Sequence, residues 1–320
     1  MLSRWLVGAA LVLVLTPLWA QPYPTRPPRL VVPFPPAGAT DVLARLVGEE
    51  LGRRLGQPVV IENRPGAGGN IGAQLVARAA PDGYTLLMAP TSIYAIAMTL
   101  YQEPGFDIAR DFTPVSTLAN VPHVLVAHPS LPASNLKELV ALAKARPREL
   151  AIASQGIGTV SHLEAEMLQQ MAGIELTHVP YKGSSPALVD LLGGRTQIMF
   201  DSIASAMPQV RAGKLKAMAV AAERRASVLP DVPTVAEAAL PGYRAESWLG
   251  ILVPARTPRA VVERLNRELN ALLADPKVRQ TLVERGFEPQ ASTPEQFVER
   301  IRGDLLAWAK VVKAAGASVE

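Results

Sequence analysis

The stretch LVVPFPPAGATD, residues 30–41, leads from an apolar strand through a proline-rich loop of small residues into the start of a helix. A second stretch, LAIASQGIGT at residues 150–159, has the same order of strand, glycine loop and helix start. Such a loop leaves several backbone N–H groups free at the first helical turn, where the helix dipole adds to their attraction for anions. Two such loops, far apart in the sequence, predict two lobes that hold one anionic ligand between them.

Strands and helices alternate after each loop. Around the first loop, apolar spacing predicts strands at 29–33, 59–61 and 84–88 and helices at 41–55 and 70–79. A comparable series after Ser154 has strands at 175–179 and 196–200 and a helix at 185–192. Strand–helix–strand order predicts a parallel sheet in each series. Three more helices, at 258–273, 276–285 and 294–314, begin at prolines, which the first helical turn favours.

Two apolar strands, His123–Ala127 and Trp248–Val253, lie where the chain passes between the two series. We interpret them as the crossing strands of a hinge. The predicted architecture is an α/β chain of two lobes, in which residues 21–122 and 247–320 form lobe 1 and residues 123–246 form lobe 2.

Composition excludes several classes of protein. With 49% apolar and 19% charged residues in 320, the chain can bury a core and is not disordered. The net charge is +4, but Lys and Arg are scattered among acidic residues without a basic run or an aromatic platform, which argues against nucleic-acid binding. The absence of Cys excludes disulfides, Cys-ligated zinc, a thiol nucleophile and a lipoprotein anchor.

Residues 1–20 have the layout of a secretory signal peptide. Arg4 precedes the apolar run 5–15, and 17–20 precede an expected cleavage before Gln21. The run is shorter than the roughly 20 apolar residues that span a bilayer, which disfavours a membrane anchor. Leu18 is larger than the usual small residue, which leaves the cleavage site open. We expect a soluble, exported protein.

The first loop offers backbone and hydroxyl groups to a ligand. Its prolines fix the turn, Gly38 allows close approach of the backbone, and Thr40 adds a hydroxyl. Asp41 would repel an anion, so we assign it to support of the first helical turn.

The second loop and the strand ends supply further candidates. In the loop these are Ser154, Gly156, Gly158 and Thr159. His162 is either a donor to the ligand or a partly buried helix residue, while Ser161 and Glu164 match a capping box. Ligands bind outside the carboxyl ends of strands in open α/β sheets, which adds Thr91, Ser92, Asp201 and Ser202. Asp201 either accepts from a ligand amine or hydroxyl or caps the next helix.

Nucleotide binding, metal binding and catalysis have little support in the sequence. The run GAGGNIG, residues 66–72, lacks the glycine that a dinucleotide fingerprint needs at Ile71, and no Walker sequence occurs. The four His residues show no metal-ligand spacing, and no nucleophile elbow or compact carboxylate pair is evident. We therefore expect no cofactor, no metal and no catalytic residue.

Several motifs resemble the receptors of tripartite tricarboxylate transporters, also called Bug-type receptors. They are PFPPAGATD at 33–41, ENRPGAGG at 62–69, APDGYTLL at 80–87, HVPYKG at 178–183, LPDVPT at 229–234 and the segment 248–258. The resemblance spans nearly everything after residue 20 and implies a type II periplasmic-binding-protein-like fold, or Venus flytrap, that binds a small carboxylate. By this resemblance the contacts come from Phe34, Ala37, Gly38, Ala39 and Thr40, and from Ser154, Gly156, Gly158, Thr159 and His162.

The resemblance also implies partners. They are a small organic acid (mono-, di- or tricarboxylate, or amino acid) and membrane transporter subunits, with the receptor acting as a periplasmic monomer. Two positions depart from the family pattern. Ala37 replaces the first of two glycines, which we expect to stiffen the loop and narrow the pocket, and Ile157 is unusually apolar, which we expect to select ligand shape. A ligand sensor for a signalling partner, or an exported hydrolase that uses Ser161 or His162, are the alternatives.

Overall fold

The computed structural model describes residues 23–317, so the predicted signal peptide lies outside the described residues. One sheet has six strands in the order β11-β4-β10-β3-β1-β2. Its strands are β1 (Arg29–Val32), β2 (Val60–Asn63), β3 (Thr85–Pro90), β4 (Phe112–Asn120), β10 (Trp248–Pro254) and β11 (Glu288–Pro289). The first three are parallel, and β10 runs antiparallel between β3 and β4.

Helices cover both faces of this sheet. They are α1 (Ala39–Leu55), α2 (Asn70–Ala77), α3 (Ala97–Leu100), α4 (Ile108–Asp111), α10 (Arg259–Ala274), α11 (Pro276–Glu284) and α12 (Pro294–Ala314). Residues 30–32 of β1 are fully buried, as expected for a parallel strand covered on both faces. Gly56 ends α1 with φ 71°, a left-handed conformation that glycine adopts without a steric penalty.

The other sheet has five strands in the order β7-β6-β8-β5-β9. They are β5 (His123–Ala127), β6 (Ala151–Ser154), β7 (Thr177–Pro180), β8 (Ile198–Ser202) and β9 (Lys216–Val220). Strands β6, β7 and β8 are parallel, and β5 is antiparallel to both of its neighbours. The helices of this part are α5 (Leu136–Ala145), α6 (Val160–Ala172), α7 (Ser184–Leu192), α8 (Ile203–Arg211) and α9 (Val235–Ala238).

The chain crosses between the sheets twice. The first crossing passes from β4 to β5 through Val121 and Pro122, and the second leads through Ser247 into β10. The Val121 N–H donates to the Ser247 carbonyl at 2.7 Å, so the two crossings are hydrogen-bonded to each other. The two-lobed α/β fold is confirmed, while the lobe boundaries at 122 and 247 stay a prediction.

Some local expectations are corrected. Strand β4 was not predicted. The N-cap of α6 is Thr159, whose hydroxyl accepts from the His162 N–H, so Ser161 and Glu164 do not form the expected capping box. Ser202, not Asp201, caps α8. Within residues 23–317 no helix combines the length and apolar character that a membrane span requires.

Candidate functional site

A cavity with a mixed polar and apolar lining lies between the two sheets, beside the hinge. It is lined from the first sheet's part by Phe34, Pro35, Gly38, Ala39, Thr40, Pro90 and Ser92, from the hinge by Val121, His123, Ser247 and Leu249, and from the second sheet's part by Gln155, Thr159, Val160, Ser184 and Ser202. None of these lining residues is Lys, Arg, Asp or Glu. Its polar groups are therefore backbone groups, hydroxyls, one amide and one imidazole, and apolar side chains such as Phe34, Val160 and Leu249 complete the lining.

Four helix N-termini converge on this cavity. Lining residues include the first positions of α1, α6 and α7 and the N-cap of α8. No side chain within residues 23–317 caps α1 or α7, so their first-turn N–H groups are free to meet another acceptor. These two helix starts face each other, since a Cβ on Gly38 would lie 3.7 Å from the Ser184 Cβ. The arrangement favours an anion between them.

Asp41 fixes the conformation of the first loop through hydrogen bonds. Its carboxylate accepts from the Ala37 N–H at 3.0 Å, from Arg45 at 2.9 Å and from the Asn63 amide at 2.8 Å. Burial raises the pKa of Asp41, but the hydrogen bonds from Arg45, Ala37 and Asn63 outweigh it, so the pKa is lowered overall. Asp41 lies in the first turn of α1, as expected, and it does more than predicted because it also anchors the loop to β2.

Ala37 does not line the cavity, which corrects the expectation that its methyl narrows the pocket. Its N–H is engaged by Asp41, and the residue is exposed. Its φ of 68° lies in the left-handed region, where an L side chain is strained. The departure at this position therefore changes backbone strain in the loop rather than cavity shape.

The second loop is bonded largely to itself. The Gly156 N–H donates to Ser154 Oγ, the Thr159 hydroxyl donates to the Gly156 carbonyl, and the Gly158 N–H approaches His162 Nδ1 at 3.4 Å. Ser154 is fully buried and also bonds His178 Nε2 at 2.7 Å. Of the predicted residues in this loop, only Thr159 lines the cavity, and the others shape the turn that presents it.

Asp201 lies behind the lining and orients it. The residue is fully buried, and its carboxylate accepts from Gln155 Nε2 at 2.7 Å, from the Ser184 hydroxyl at 2.6 Å and from the Ser202 N–H at 2.9 Å. Burial raises the pKa of Asp201, with these hydrogen bonds and the charge of His123 acting against it. One carboxylate thus fixes three lining residues on three different elements.

Thr91 and His162 also lie outside the lining. Thr91 Oγ1 accepts from the Trp248 N–H at 2.8 Å, which ties the end of β3 to the second hinge crossing. His162 is 8% exposed and stacks on His178 with ring centroids 4.6 Å apart. Of its two predicted roles, the structure supports the buried helix residue. Burial, and secondarily the charge of His178, lowers the pKa of His162 to about 4.

His162, His178 and Glu166 bring their ligand atoms within 4.8 Å of one another, a grouping that spacing in the sequence did not reveal. His162 Nδ1 accepts from the Gly158 N–H, which puts the proton of the neutral ring on Nε2, 3.8 Å from Glu166 Oε1. A metal needs a lone pair at that nitrogen. The observed bond to Nδ1 therefore argues against metal coordination by His162 Nε2.

Sequence reasoning missed several lining residues. Gln155 belongs to the second loop. Its amide is oriented by a hydrogen bond to Asp201, which lies on another strand, so the loop sequence alone does not indicate its role. His123, Ser184 and Ser247 come from the hinge and from α7, which no local pattern connected to the loops. The Gly–Ser–Ser start of α7, residues 183–185, was the one available indication, because it resembles the other uncapped helix start.

A second, more open concavity adjoins the cavity at its mouth. Phe34 and Gln155 line both spaces, and Ile157 lines only the outer one, at 43% exposure. The two lobes touch here. The Tyr101 hydroxyl donates to the Ile157 carbonyl at 3.2 Å, and the Ser185 hydroxyl donates to the Pro36 carbonyl at 2.6 Å. The influence of Ile157 on ligand shape therefore stays a prediction about the entrance.

Comparison with known proteins gives consistent matches. A family model described as tripartite tricarboxylate transporter family receptor matches residues 43–317. Protein BugT of Bordetella pertussis is 38% identical over 308 residues, which cover 96% of this chain and 94% of that protein.

Solved structures agree with this match. A structure of R. palustris Rpa4515 with adipate superposes with a TM-score of 0.91 at 39% identity, covering 92% of this chain and 99% of that one. MatC of Rhodopseudomonas palustris with bound malate gives 0.85 at 35% identity, with coverages of 91% and 100%. The periplasmic binding protein BugD gives 0.89 at 38%, with coverages of 93% and 100%.

Proposed function

The chain belongs to the tripartite tricarboxylate transporter receptor family, and from this premise we propose that it captures a small organic carboxylate in the cavity between its lobes. The observation that carries the proposal is the convergence of uncapped helix N-termini from both lobes on one cavity. A carboxylate there would receive N–H donors from α1 and α7 together, without a cationic side chain from Lys or Arg.

Exclusion of water strengthens this mode of binding. Within an enclosed site each hydrogen bond to a charged acceptor acts in a lower dielectric than in bulk water. Asp201 supports the same chemistry by fixing Gln155 so that its second amide proton remains available to the cavity. Relatives solved with adipate and malate agree with an acid ligand.

The wider role follows from family membership. We propose that residues 1–20 direct export to the periplasm and that the loaded receptor docks on membrane subunits of a tripartite transporter. We further propose that residues 21–122 with 247–320, and residues 123–246, move as the two lobes. Capture and delivery need no chemical step, so the receptor acts as a binding protein and not as an enzyme.

Thermal-shift screening of organic acids and neutral solutes tests the proposal. Adipate and malate belong in the panel, with the corresponding diamides as uncharged controls. A ligand at 100 times its Kd stabilises the folded protein by about 2.7 kcal/mol, which raises the melting temperature measurably. Shifts confined to neutral solutes would refute carboxylate capture.

A further inference from the structure

Two stacked imidazoles lie directly behind the second loop. His162 on α6 and His178 on β7 have ring centroids 4.6 Å apart, with 21° between the ring planes. His162 is 8% exposed, and neither residue lines the cavity. Each ring bonds a different part of the segment 154–158, so together they hold the loop from outside the cavity.

Both rings accept hydrogen bonds from this segment. The Gly158 N–H donates to His162 Nδ1 at 3.4 Å. Ser154 Oγ lies 2.7 Å from His178 Nε2 and accepts from the Gly156 N–H. Ser154 is fully buried, and among the described residues His178 Nε2 is the sole acceptor within reach of its hydroxyl proton. The hydroxyl therefore donates to His178, and both imidazoles must be neutral to keep these bonds.

Protonation would turn each of these acceptors into a donor. An imidazolium at His162 would direct its Nδ1–H at the Gly158 N–H, so that two donors face each other. At His178 the added proton would leave the buried Ser154 hydroxyl without an acceptor, which is costly inside a protein. Two stacked imidazolium rings would also repel each other. Acid therefore acts against the loop conformation at both of its ends.

The surrounding charges do not favour protonated rings. Glu166, one turn along α6, has its Oε1 3.8 Å from His162 Nε2. Burial raises the pKa of Glu166 above its ordinary 4.5, whereas burial is the main cause that lowers the pKa of His162 to about 4, so Glu166 takes up a proton first. Glu164 on α6 and Asp201 on β8 act on His123 instead. Besides the stacked rings, β6, β7 and the loop before α6 carry no titratable side chain.

The loop that the rings hold serves the site in two ways. Gln155 and Thr159 line the cavity, and the Thr159 hydroxyl donates to the Gly156 carbonyl at 2.7 Å. At the tip of the loop, the Ile157 carbonyl accepts from the Tyr101 hydroxyl of the other lobe. A change in loop conformation would therefore displace lining groups and break a contact between the lobes.

We propose that His162 and His178 are positioning residues that hold the second loop in its binding conformation only while both rings are neutral, so that acid releases the ligand. The inference rests on the proposed function and adds its regulation by pH. A ring freed from the stack regains an ordinary pKa near 6.5, whereas the pKa of His162 in the closed arrangement is about 4. Binding is therefore coupled to proton release, and affinity falls as pH falls from about 6.5 to 4.

Isothermal titration calorimetry between about pH 7 and pH 4.5 tests the release, with the acids of the thermal-shift panel and with adipate and malate first. The test variant combines His162→Asn with His178→Gln, because these amides place an acceptor near Nδ1 and Nε2 but do not titrate. His128→Gln is the matched control, since His128 bonds Ser130 outside the stack. Circular dichroism at each pH checks that every protein is folded.

We expect the affinities of wild type and control to fall at least about tenfold more across this range than the affinity of the double variant. Ionisation of the ligand itself is common to all three proteins and cancels. Equal falls would overturn the inference and leave the proposed function standing. Failure of every acid in the panel to bind wild type near neutral pH would refute the proposed function instead.

Amide hydrogen exchange in the wild-type receptor tests the loop without a ligand or a variant. Nuclear magnetic resonance with isotope-labelled glycine and histidine follows both the rings and the loop. Protection of the Gly156 and Gly158 amides should fall at least about tenfold as His162 and His178 become protonated. Gly173, whose N–H bonds within α6, should keep its protection. Loop amides that stay protected while the rings protonate would overturn the inference, even if the double variant bound no acid.

Discussion

Asp201 shows how one buried side chain controls a site that it does not line. Its carboxylate holds Gln155, Ser184 and Ser202, and those three residues face the cavity. Hydrogen bonds to an ionised acceptor are roughly twice as strong as neutral ones and fix geometry correspondingly well. Asp201, which lies behind the lining, therefore sets the orientation of these polar residues.

Substituting Asp201→Asn tests this role. An amide cannot accept from all three donors, so at least one lining residue loses its orientation. We expect carboxylate affinity to fall about tenfold or more, measured by calorimetry, while circular dichroism stays native-like. Asp231→Asn, at an exposed position, is the matched control and should keep wild-type affinity. Unchanged affinity in Asp201→Asn would show that the lining orients itself.

The stacked His162 and His178 predict a stability that depends on pH. The pKa of His162 is about 4 in the folded protein, and burial lowers the pKa of His178 as well. The unfolded chain, with an ordinary His pKa near 6.5, binds more protons between these values, so stability rises with pH through that window and is lost as pH falls from about 6.5 to 4.

In His162→Gln, the loss of unfolding free energy on acidification across this window should be smaller than in wild type by about 3 kcal/mol. Urea unfolding of both proteins at the two ends of the window measures the difference. Carboxylates that titrate in the same range are common to both proteins and cancel in the difference. His128→Gln removes an imidazole from outside the stack and serves as the control. Parallel acid slopes for wild type and His162→Gln would contradict the assignment.

The sequence predicts where the candidate site lies better than it predicts which residues line it. The two loops do flank the cavity, because a strand followed by a glycine turn and a helix places free N–H groups at one point. The glycines themselves mostly bond within their loops, as Gly156 does to Ser154. Ser184, Ser247 and His123 escaped prediction because their convergence depends on how two sheets meet, and no local pattern encodes that.

At the scale of elements, the turn before α6 brings the two lobes together. Gly158 has φ +79°, and a Cβ there would lie 2.7 Å from Leu100 Cδ2 and 3.0 Å from Tyr101 Cε2. Both neighbours belong to the part of the chain that carries the six-stranded sheet. The glycine therefore serves the contact between lobes, which is a different reason for its presence than close approach to a ligand.

Gly158→Ala is expected to weaken carboxylate binding several-fold, because the methyl group obstructs the approach of the lobes. Gly173→Ala is a strict control, since Gly173 has φ +60° and a Cβ there would meet nothing within 4 Å. Each substitution should lower the free energy of unfolding by about 1 kcal/mol through left-handed strain. Equal affinities in the two variants, measured by calorimetry, would contradict the role of Gly158.

The elements themselves differ in how well the sequence predicts them. The helix expected at 294–314 matches α12 at both ends, since a proline start and a long amphipathic pattern define it locally. Strand β4 was missed because Pro114, Ser116 and Thr117 interrupt its apolar run. Its stability comes from β10 and β11 on either side, and that pairing joins residues far apart in the sequence.

At the scale of the whole molecule, two of the hydrogen bonds between the lobes lie across the mouth of the cavity. Ser185 to Pro36 and Tyr101 to Ile157 bridge the mouth, and both bonds exist only while the lobes are in contact. The bridging hydrogen bonds favour the arrangement in which the lobes are in contact, and a ligand that binds both lobes favours the same arrangement. Ligand and bridges therefore stabilise each other by linkage. The bridges should therefore contribute to affinity although neither bond lies in the cavity.

The double substitution Ser185→Ala with Tyr101→Phe tests this coupling. Two exposed hydrogen bonds at about 0.5 kcal/mol each predict a loss of affinity of about fivefold. Stopped-flow measurements should assign most of this loss to faster dissociation, because the ligand first meets the lobes apart and the bridges form afterwards. Ser134→Ala with Tyr84→Phe removes the same two hydroxyl types within single lobes and should leave both rates unchanged. If the test variant instead slowed association alone, the bridges would act before closure, and their proposed role in retaining the ligand would be wrong.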